Sequence, residues 1–113
     1  MNAEIKAKWI EALRSGNYKQ GQNKLRDTRD NTFCCLGVLC DLYTKENNAM
    51  WQINSGCNTR YMLFNEDAGL PEPIQKWSGI NSGLGSYGDR SLASDNDNYK
   101  PFNEIADIIE KHF

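Results

Sequence analysis

The sequence is poor in the residues that common catalytic mechanisms require. It has one histidine, His112, next to the last residue, whereas cysteine and serine nucleophiles usually need a histidine base within hydrogen-bond reach. The GxSxG, HExxH and Walker A patterns are missing, and no GxGxxG pattern follows a predicted strand. These absences disfavour serine, cysteine and zinc hydrolases and P-loop nucleotide hydrolases. We therefore expect a protein that is not an enzyme and carries no cofactor.

Two further absences concern location and partners. No apolar run approaches the roughly 18 residues of a membrane helix, and the N-terminus lacks the apolar centre of a signal peptide. The chain has 13 Lys and Arg residues against 15 Asp and Glu residues, a formal net charge of -2. General nucleic-acid binders usually carry a basic excess instead. We expect a cytoplasmic protein with no membrane contact and no general nucleic-acid binding.

The cysteines do not form a metal-binding pattern. Cys34, Cys35, Cys40 and Cys57 lack the paired CxxC spacing of structural zinc sites. In a reducing compartment, free thiols are the default state, so we expect reduced cysteines and no metal. Cys34 and Cys35 begin a predicted helix, where a lowered thiol pKa and a reactive thiol are the alternative to simple burial.

The length of 113 residues allows one domain with a modest core, and no repeat or linker divides the chain. We expect a single domain over residues 1–113. Helical periodicity predicts helices at 3–15, 33–45 and 101–113, the first between an Asn2 cap and a Gly16 stop. The predicted core consists of Trp9, Val38, Leu39, Leu42, Ile105 and Ile109.

Gly37 stands inside the predicted central helix, where glycine costs about 1 kcal/mol relative to alanine. A glycine at such a position often marks the close approach of another backbone. We expect a tight packing contact at Gly37, with contact to a ligand as the alternative.

Shorter elements are predicted between the three helices. Residues 18–26 predict a strand or extended segment, followed by a turn at 27–31. Residues 50–64 have the pattern of a hairpin with its turn at Asn54, Ser55 and Gly56, and 70–77 predict a short helix.

Residues 81–98 are rich in Gly, Ser, Asn and Asp, which predicts a long loop with a short strand near 91–94. Taken together, the pattern predicts an α+β domain. Three or four helices would pack on a small antiparallel sheet or hairpin.

The most concentrated polar chemistry lies between residues 18 and 29. Lysine and arginine neutralise phosphate, and glutamine and asparagine can read the edge of a base. Aromatic side chains can stack on a base, as they do in single-strand sites. The alternative interpretation is an ordinary solvated strand. The candidate ligand-binding residues are Tyr18, Lys19, Gln20, Gln22, Arg26, Arg29 and Trp51.

Carboxylates near the last predicted helix offer a weaker candidate site. The DNDN run at 95–98 lacks the following glycine and the bidentate glutamate of a calcium-binding EF-hand loop. A solvated loop is the favoured interpretation of this run. An enzyme that cleaves nucleotides through Asp97 and Glu104 is the lowest-ranked alternative.

Four segments carry a family resemblance. They are WIEALRSGNYKQG at 9–21, FCCLGVLCD at 33–41, the proline-led LPEPIQKW at 70–77 and FNEIAD at 102–107, together with Leu25-Arg26. In this pattern the chain resembles small proteins encoded by bacteriophages and prophages, although Pro101 stands where a capping serine is expected. The resemblance covers most of the chain and implies no catalytic residues.

A phage origin implies an accessory protein that counters host defence in the infected cell. One expectation is sequestration of a nucleotide immune signal, such as a cyclic dinucleotide, a cyclic trinucleotide or a variant of cyclic ADP-ribose. Sequestration needs a cleft, cations and stacking aromatic side chains but no catalytic group. Proteins of this type often form homo-oligomers. The alternative is a protein that masks a host defence protein through exposed Trp, Tyr and Arg side chains.

Overall fold

The structure is a computed structural model that describes all 113 residues. It confirms the predicted α+β class, with five helices and two separate two-stranded antiparallel sheets. In chain order the elements are α1 (Ala3–Arg14), α2 (Cys35–Asn47), β1 (Gln52–Ile53), β2 (Tyr61–Met62), α3 (Glu72–Ser78), β3 (Ser86–Tyr87), β4 (Arg90–Ser91), α4 (Leu92–Asp97) and α5 (Phe102–His112). None of the five helices combines the length and the apolar character needed to cross a lipid bilayer.

Local capping explains where the two longest helices begin and end. The side chain of Asn2 accepts a hydrogen bond from the Ile5 amide at 3.0 Å, and Gly16 has a left-handed φ of 79°, so the predicted cap and stop of α1 are confirmed. Helix α2 begins two residues later than predicted. The reason is that Cys34 is extended and its Sγ accepts from the Gly37 amide at 3.4 Å, as an N-cap does.

The core lies where α1, α2, α4 and α5 meet. Five of the six predicted core residues are fully buried, and Leu42 is half-buried. Trp9 shows how a polar atom is accommodated there, because its indole Nε1 donates to the Cys35 carbonyl oxygen at 2.9 Å. A buried donor without such a partner would destabilise the fold.

The expected packing contact at Gly37 is confirmed. A β-carbon at this position would collide with the carbonyl group of Leu25, and Leu25 is itself fully buried. Glycine is therefore required at this point of α2 because the backbone of the preceding loop touches the helix.

Residues 18–26 form a reversing loop rather than the predicted strand or extended segment. Phe33 pairs with both ends of this loop, as a parallel bridge to Gln20 and an antiparallel bridge to Arg26. The chain reverses between them, with Asn23 in the left-handed region at a φ of 67°. Because Phe33 alone pairs with both ends of the loop, no continuous β-ladder can form. The predicted turn at 27–31 is present at 28–30.

The hairpin and the third helix follow the predictions more closely. Strand β1 pairs with β2 antiparallel, with Gln52 opposite Met62, but the connection runs through 54–60 and is longer than the expected three-residue turn. Helix α3 follows Pro71, which is extended at the N-cap.

The prediction of a long loop over 81–98 is wrong. Strands β3 and β4 form a hairpin, so a strand does lie near the predicted 91–94, but it ends at Ser91 and α4 occupies 92–97. The side chain of Ser91 starts the helix by accepting from the Ser94 amide at 3.1 Å. Leu92 and Asn96 are fully buried. Tertiary contacts therefore stabilise a helix that the polar composition of this segment did not predict.

Candidate functional site

Arg26 lies in a cage of aromatic rings. Its guanidinium carbon is 4.9 Å from the ring centroid of Phe33, 5.7 Å from that of Trp51 and 4.4 Å from that of Tyr61. The Nε atom donates to Asn31 Oδ1 at 2.8 Å. No carboxylate pairs with this guanidinium, and its two terminal nitrogens donate to no group of the chain. Arg26 is thus a fixed, charged fork whose two terminal nitrogens are free, a geometry that suits phosphate or carboxylate.

Asp41 on α2 anchors the aromatic side chains around this cage. Its Oδ2 accepts from the Tyr18 hydroxyl at 2.6 Å, and its Oδ1 accepts from Trp51 Nε1 at 3.0 Å. Lys45, one turn further along α2, lies 3.3 Å from Oδ2. Two aromatic side chains of the site, Tyr18 and Trp51, are therefore held by a carboxylate rather than by packing alone.

The same contacts set the pKa values of the cluster. Burial alone would raise the pKa of Asp41, but the hydrogen bonds from Tyr18 and Trp51 and the charge of Lys45 bring it below its usual range. Burial, with the hydrogen bond to Asp41, raises the pKa of Tyr18. At neutral pH the cluster thus pairs a carboxylate with a neutral phenol.

An open cleft of about 580 Å³ lies in front of these side chains. Lys19 stands at this cleft without an ion pair and is exposed. Cations therefore outnumber carboxylates in the lining, which favours a ligand with negative charge. The lining residues are Asn17, Tyr18, Lys19, Arg26, Asp30, Asn31, Phe33, Asp41 and Lys45.

Three of the predicted site residues line this cleft: Tyr18, Lys19 and Arg26. Trp51 is not in the lining, but it borders the cage through its contacts with Arg26 and Asp41. Gln22 is half-buried and is not part of the lining.

Gln20 lies outside the cleft and has a structural role. Its Nε2 donates to Asn96 Oδ1 at 2.9 Å and to the Lys100 carbonyl oxygen at 2.8 Å. Asn96 also donates to the Gly21 carbonyl at 2.8 Å and accepts from the Cys35 amide at 3.1 Å. This network attaches the 18–26 loop to α4 and α2.

Arg29 is engaged with Asp27 and does not line the cleft. Asp27 Oδ2 lies 2.9 Å from Arg29 and 2.9 Å from Lys24, and its side chain is only 7% exposed. The hydrogen bond from Arg29 lowers the pKa of Asp27 well below its usual range, with Lys24 acting in the same direction. Two cations of the basic segment thus share one carboxylate within the fold.

Sequence reasoning missed Asp41, Lys45 and Asn31 as members of the site. One signal was present in the sequence: Asp41 follows the apolar run 33–40 directly and is spaced i, i+4 from Lys45 on the same predicted helix. A carboxylate on such a helix is rarely buried without partners. That the partners would be Tyr18 and Trp51 depends on the fold.

Asp97 and Glu104, the acidic residues of the alternative enzyme hypothesis, do not line the same cleft. Asp97 Oδ1 accepts from the Asn23 amide at 2.8 Å, whereas Glu104 lines a second cleft beside α4 that does not include Asp97. The residues of the structure form no group of three or more His, Cys, Asp or Glu side chains arranged to hold a metal ion.

All four cysteines are free thiols, and three of them are buried. Burial raises the pKa of Cys34 to about 11 and raises the pKa values of Cys35 and Cys40 well above the usual range. Cys57 is exposed, and a hydrogen bond with Thr59 lowers its pKa. The helix start at Cys34 and Cys35 therefore yields unreactive core thiols.

Comparison with known proteins yields a family but no characterised relative. The chain belongs to the family described as a domain of unknown function, DUF8296, whose model matches residues 1–113. No curated protein and no solved structure matches the chain.

Proposed function

We propose that this DUF8296 member is a non-enzymatic binding protein that holds a nucleotide-type signalling molecule at Arg26. The observation that carries the proposal is the fork of Arg26, which is fixed by Asn31 and three aromatic rings and whose terminal nitrogens are free. A guanidinium held in this way loses little conformational entropy when it binds a phosphate.

The surroundings of the fork support a phosphorylated ligand. Lys19 has no partner within the chain and lies at the same cleft, and Lys45 stands opposite it as part of the Asp41 cluster. Phosphate groups are recognised by such sets of arginine and lysine donors. A cleft of about 580 Å³ has room for a nucleotide-sized molecule.

The biological role follows from the sequence resemblance to small phage proteins. A phage protein that binds a cyclic nucleotide without altering it would sequester an immune signal in the cytoplasm of the infected cell. The Arg26 cleft is open to solvent and polar, so a second protomer would complete the enclosure of the ligand if the protein is a homo-oligomer.

A second candidate function rests on a different observation. Met50 is 81% exposed, Ile53 is 55% exposed and Phe64 is 47% exposed, and all three lie on the segment that carries the β1–β2 hairpin. Exposed apolar side chains of this size are common in protein interfaces. Under this alternative, the protein masks a host defence protein.

The test is binding followed by recovery of the small molecule. The purified protein is titrated by calorimetry with cyclic dinucleotides, cyclic trinucleotides and cyclic ADP-ribose, then denatured, and the released molecule is identified by mass spectrometry. Recovery of the intact molecule supports sequestration. Recovery of a cleaved molecule would identify an enzyme, and absence of binding across the panel would favour the protein-masking alternative.

Variants of two arginines locate the site. Arg26→Lys keeps the charge but removes the fork, and it should weaken binding by about 10-fold or more, since a charged hydrogen bond contributes about 1.5–3 kcal/mol. Arg29→Ala is the matched control because Arg29 is already paired with Asp27 outside the cleft. Equal effects of both substitutions would place the ligand elsewhere.

A further inference from the structure

A second cleft lies apart from the Arg26 cleft. It measures about 840 Å³, borders the β3–β4 hairpin, α4 and the start of α5, and shares no lining residue with the Arg26 cleft. Only one of its 12 lining residues is hydrophobic. Such a volume is typical of ligand sites, but the lining is far more polar than that of a site for apolar molecules.

Tyr99 stands at this cleft in a backbone position that normally belongs to glycine. Helix α4 ends in the hydrogen-bond pattern of a Schellman motif, with the Tyr99 amide donating to Asn96 O at 3.0 Å and the Lys100 amide donating to Asp95 O at 3.0 Å. Tyr99 has a left-handed φ of 66°. A β-carbon is unfavourable in this conformation, and glycine is the residue most often found there.

Nothing within the fold compensates for the tyrosine at this position. Its side chain is 75% exposed, its hydroxyl makes no hydrogen bond within the chain, and its ring contacts no other aromatic ring. Phe64 offers a contrast, because it also has a left-handed φ, of 52°, but its ring packs 5.8 Å from that of Tyr43. Uncompensated backbone strain is typical of positions kept for function.

The charges of the cleft decide which ligands fit. Arg90 lies 3.2 Å from Asp95 and is neutralised by it, and the Tyr87 hydroxyl also donates to Asp95. Lys100 then faces two carboxylates without ion pairs, those of Asp89 and Glu104. An excess of negative charge disfavours phosphates and carboxylates, and the scarcity of apolar lining disfavours hydrocarbons.

Neutral molecules rich in hydroxyl groups suit this polar lining. Carboxylates such as that of Glu104, the Asn98 amide and the Ser86 and Ser94 hydroxyls can exchange hydrogen bonds with sugar hydroxyls. An exposed tyrosine ring offers an apolar surface to the C–H face of a sugar ring. We propose that this second cleft binds a neutral saccharide, with Tyr99 stacking on one sugar ring.

The test uses the intact protein and three probes: maltotriose, cellotriose and chitotriose. Saturation-transfer NMR and calorimetry are expected to show saturable binding of at least one of them. Tyr99→Gly should weaken that binding by about 10-fold or more, as loss of an aromatic anchor does. The same substitution should raise Tm by about 2–4 °C, because it relieves the left-handed strain.

Two further variants separate stacking from folding. Tyr99→Phe keeps both the ring and the strain, so its affinity should stay within about threefold of the wild type and its Tm should not rise. Glu104→Gln, at an exposed position, should weaken binding by about threefold or more with Tm unchanged. The proposal is overturned if no saccharide binds, if only a polyamine such as spermidine binds, or if Tyr99→Gly binds as tightly as the wild type.

Discussion

The carbonyl group of Leu25 occupies the space that a β-carbon on Gly37 would need. The loop that carries Arg26 is thus in backbone contact with the central helix that carries Asp41. This contact couples the two halves of the Arg26 cleft, since a shift of the loop away from α2 would move Arg26 away from Asp41 and Lys45.

A methyl group at Gly37 should therefore destabilise the protein. We expect Gly37→Ala to lower the free energy of unfolding by about 2–3 kcal/mol, because overpacking against backbone outweighs the gain of about 1 kcal/mol in helix propensity. Urea denaturation measures the loss. Gly56→Ala is the matched control, since the nearest atom there would lie 3.4 Å from the new carbon. Similar losses in both variants would contradict the contact.

Leu39 provides a test of the core. It is fully buried in α2, so Leu39→Ala should cost about 2–5 kcal/mol through lost burial and the cavity left behind. Chemical denaturation is again the measurement. A loss below about 1 kcal/mol would show that Leu39 is not part of a packed core.

Gln20 and Lys19 are neighbours in sequence with opposite expected effects. Gln20→Ala leaves the buried Asn96 carboxamide short of a donor and should destabilise the fold by about 1–3 kcal/mol. Lys19→Ala removes an exposed cation without a partner, so stability should change by less than about 0.5 kcal/mol while anion binding weakens. Thermal unfolding and calorimetry on both variants distinguish the two roles. The reverse pattern would place Gln20 in the binding site.

Lys19 and Gln20 also show how much of the site could be predicted from the sequence. The basic, glutamine-rich segment predicted a binding site that includes Lys19 and Arg26, and both residues line one cleft of the structure. Gln20 has the same local chemistry, yet it is engaged by Asn96, which lies 76 positions away in the chain. Nothing local separates a glutamine that binds a ligand from one that holds a loop to a helix.

The helices show the same difference between local and long-range information. Helices α1 and α5 were predictable because apolar periodicity is encoded within each segment, and Asn2 also caps α1. Helix α4 was not, because its support comes from Leu92 and Asn96 packing on α2 while its exposed residues have the composition of a loop. The pairing of Asp41 with Tyr18 and Trp51 was likewise beyond sequence, since it depends on where the 18–26 loop crosses α2.

Thiol labelling should resolve the cysteines into two classes. Under native conditions only Cys57 is exposed, so a thiol reagent should modify one group per chain and, in denaturant, all four. The lowered pKa of Cys57 should speed its reaction, whereas burial suppresses ionisation of the other three. Cys57→Ser should abolish native labelling. Modification of two or more thiols in the folded protein would contradict the burial of Cys34, Cys35 and Cys40.

Asp27 should make stability depend on pH in the acidic range. Its pKa is lowered in the folded state by Arg29 and Lys24, so its contribution to stability is present above the unfolded-state pKa of about 3.9 and is lost as pH falls towards the folded value. Asp27→Asn should cost about 1–3 kcal/mol at pH 7, because Lys24, with a side chain 15% exposed, loses its partner.

Between about pH 5 and pH 2, the wild type should therefore lose more stability than Asp27→Asn, so the difference between their free energies of unfolding should narrow as pH falls towards the folded-state pKa. Asp89→Asn, at an exposed position without an ion pair, serves as the control and should keep the wild-type dependence on pH. Urea denaturation at several pH values measures both slopes. A constant difference between the wild type and Asp27→Asn across this range would mean that Asp27 does not titrate with folding, and that packing rather than the charges of Lys24 and Arg29 explains its burial.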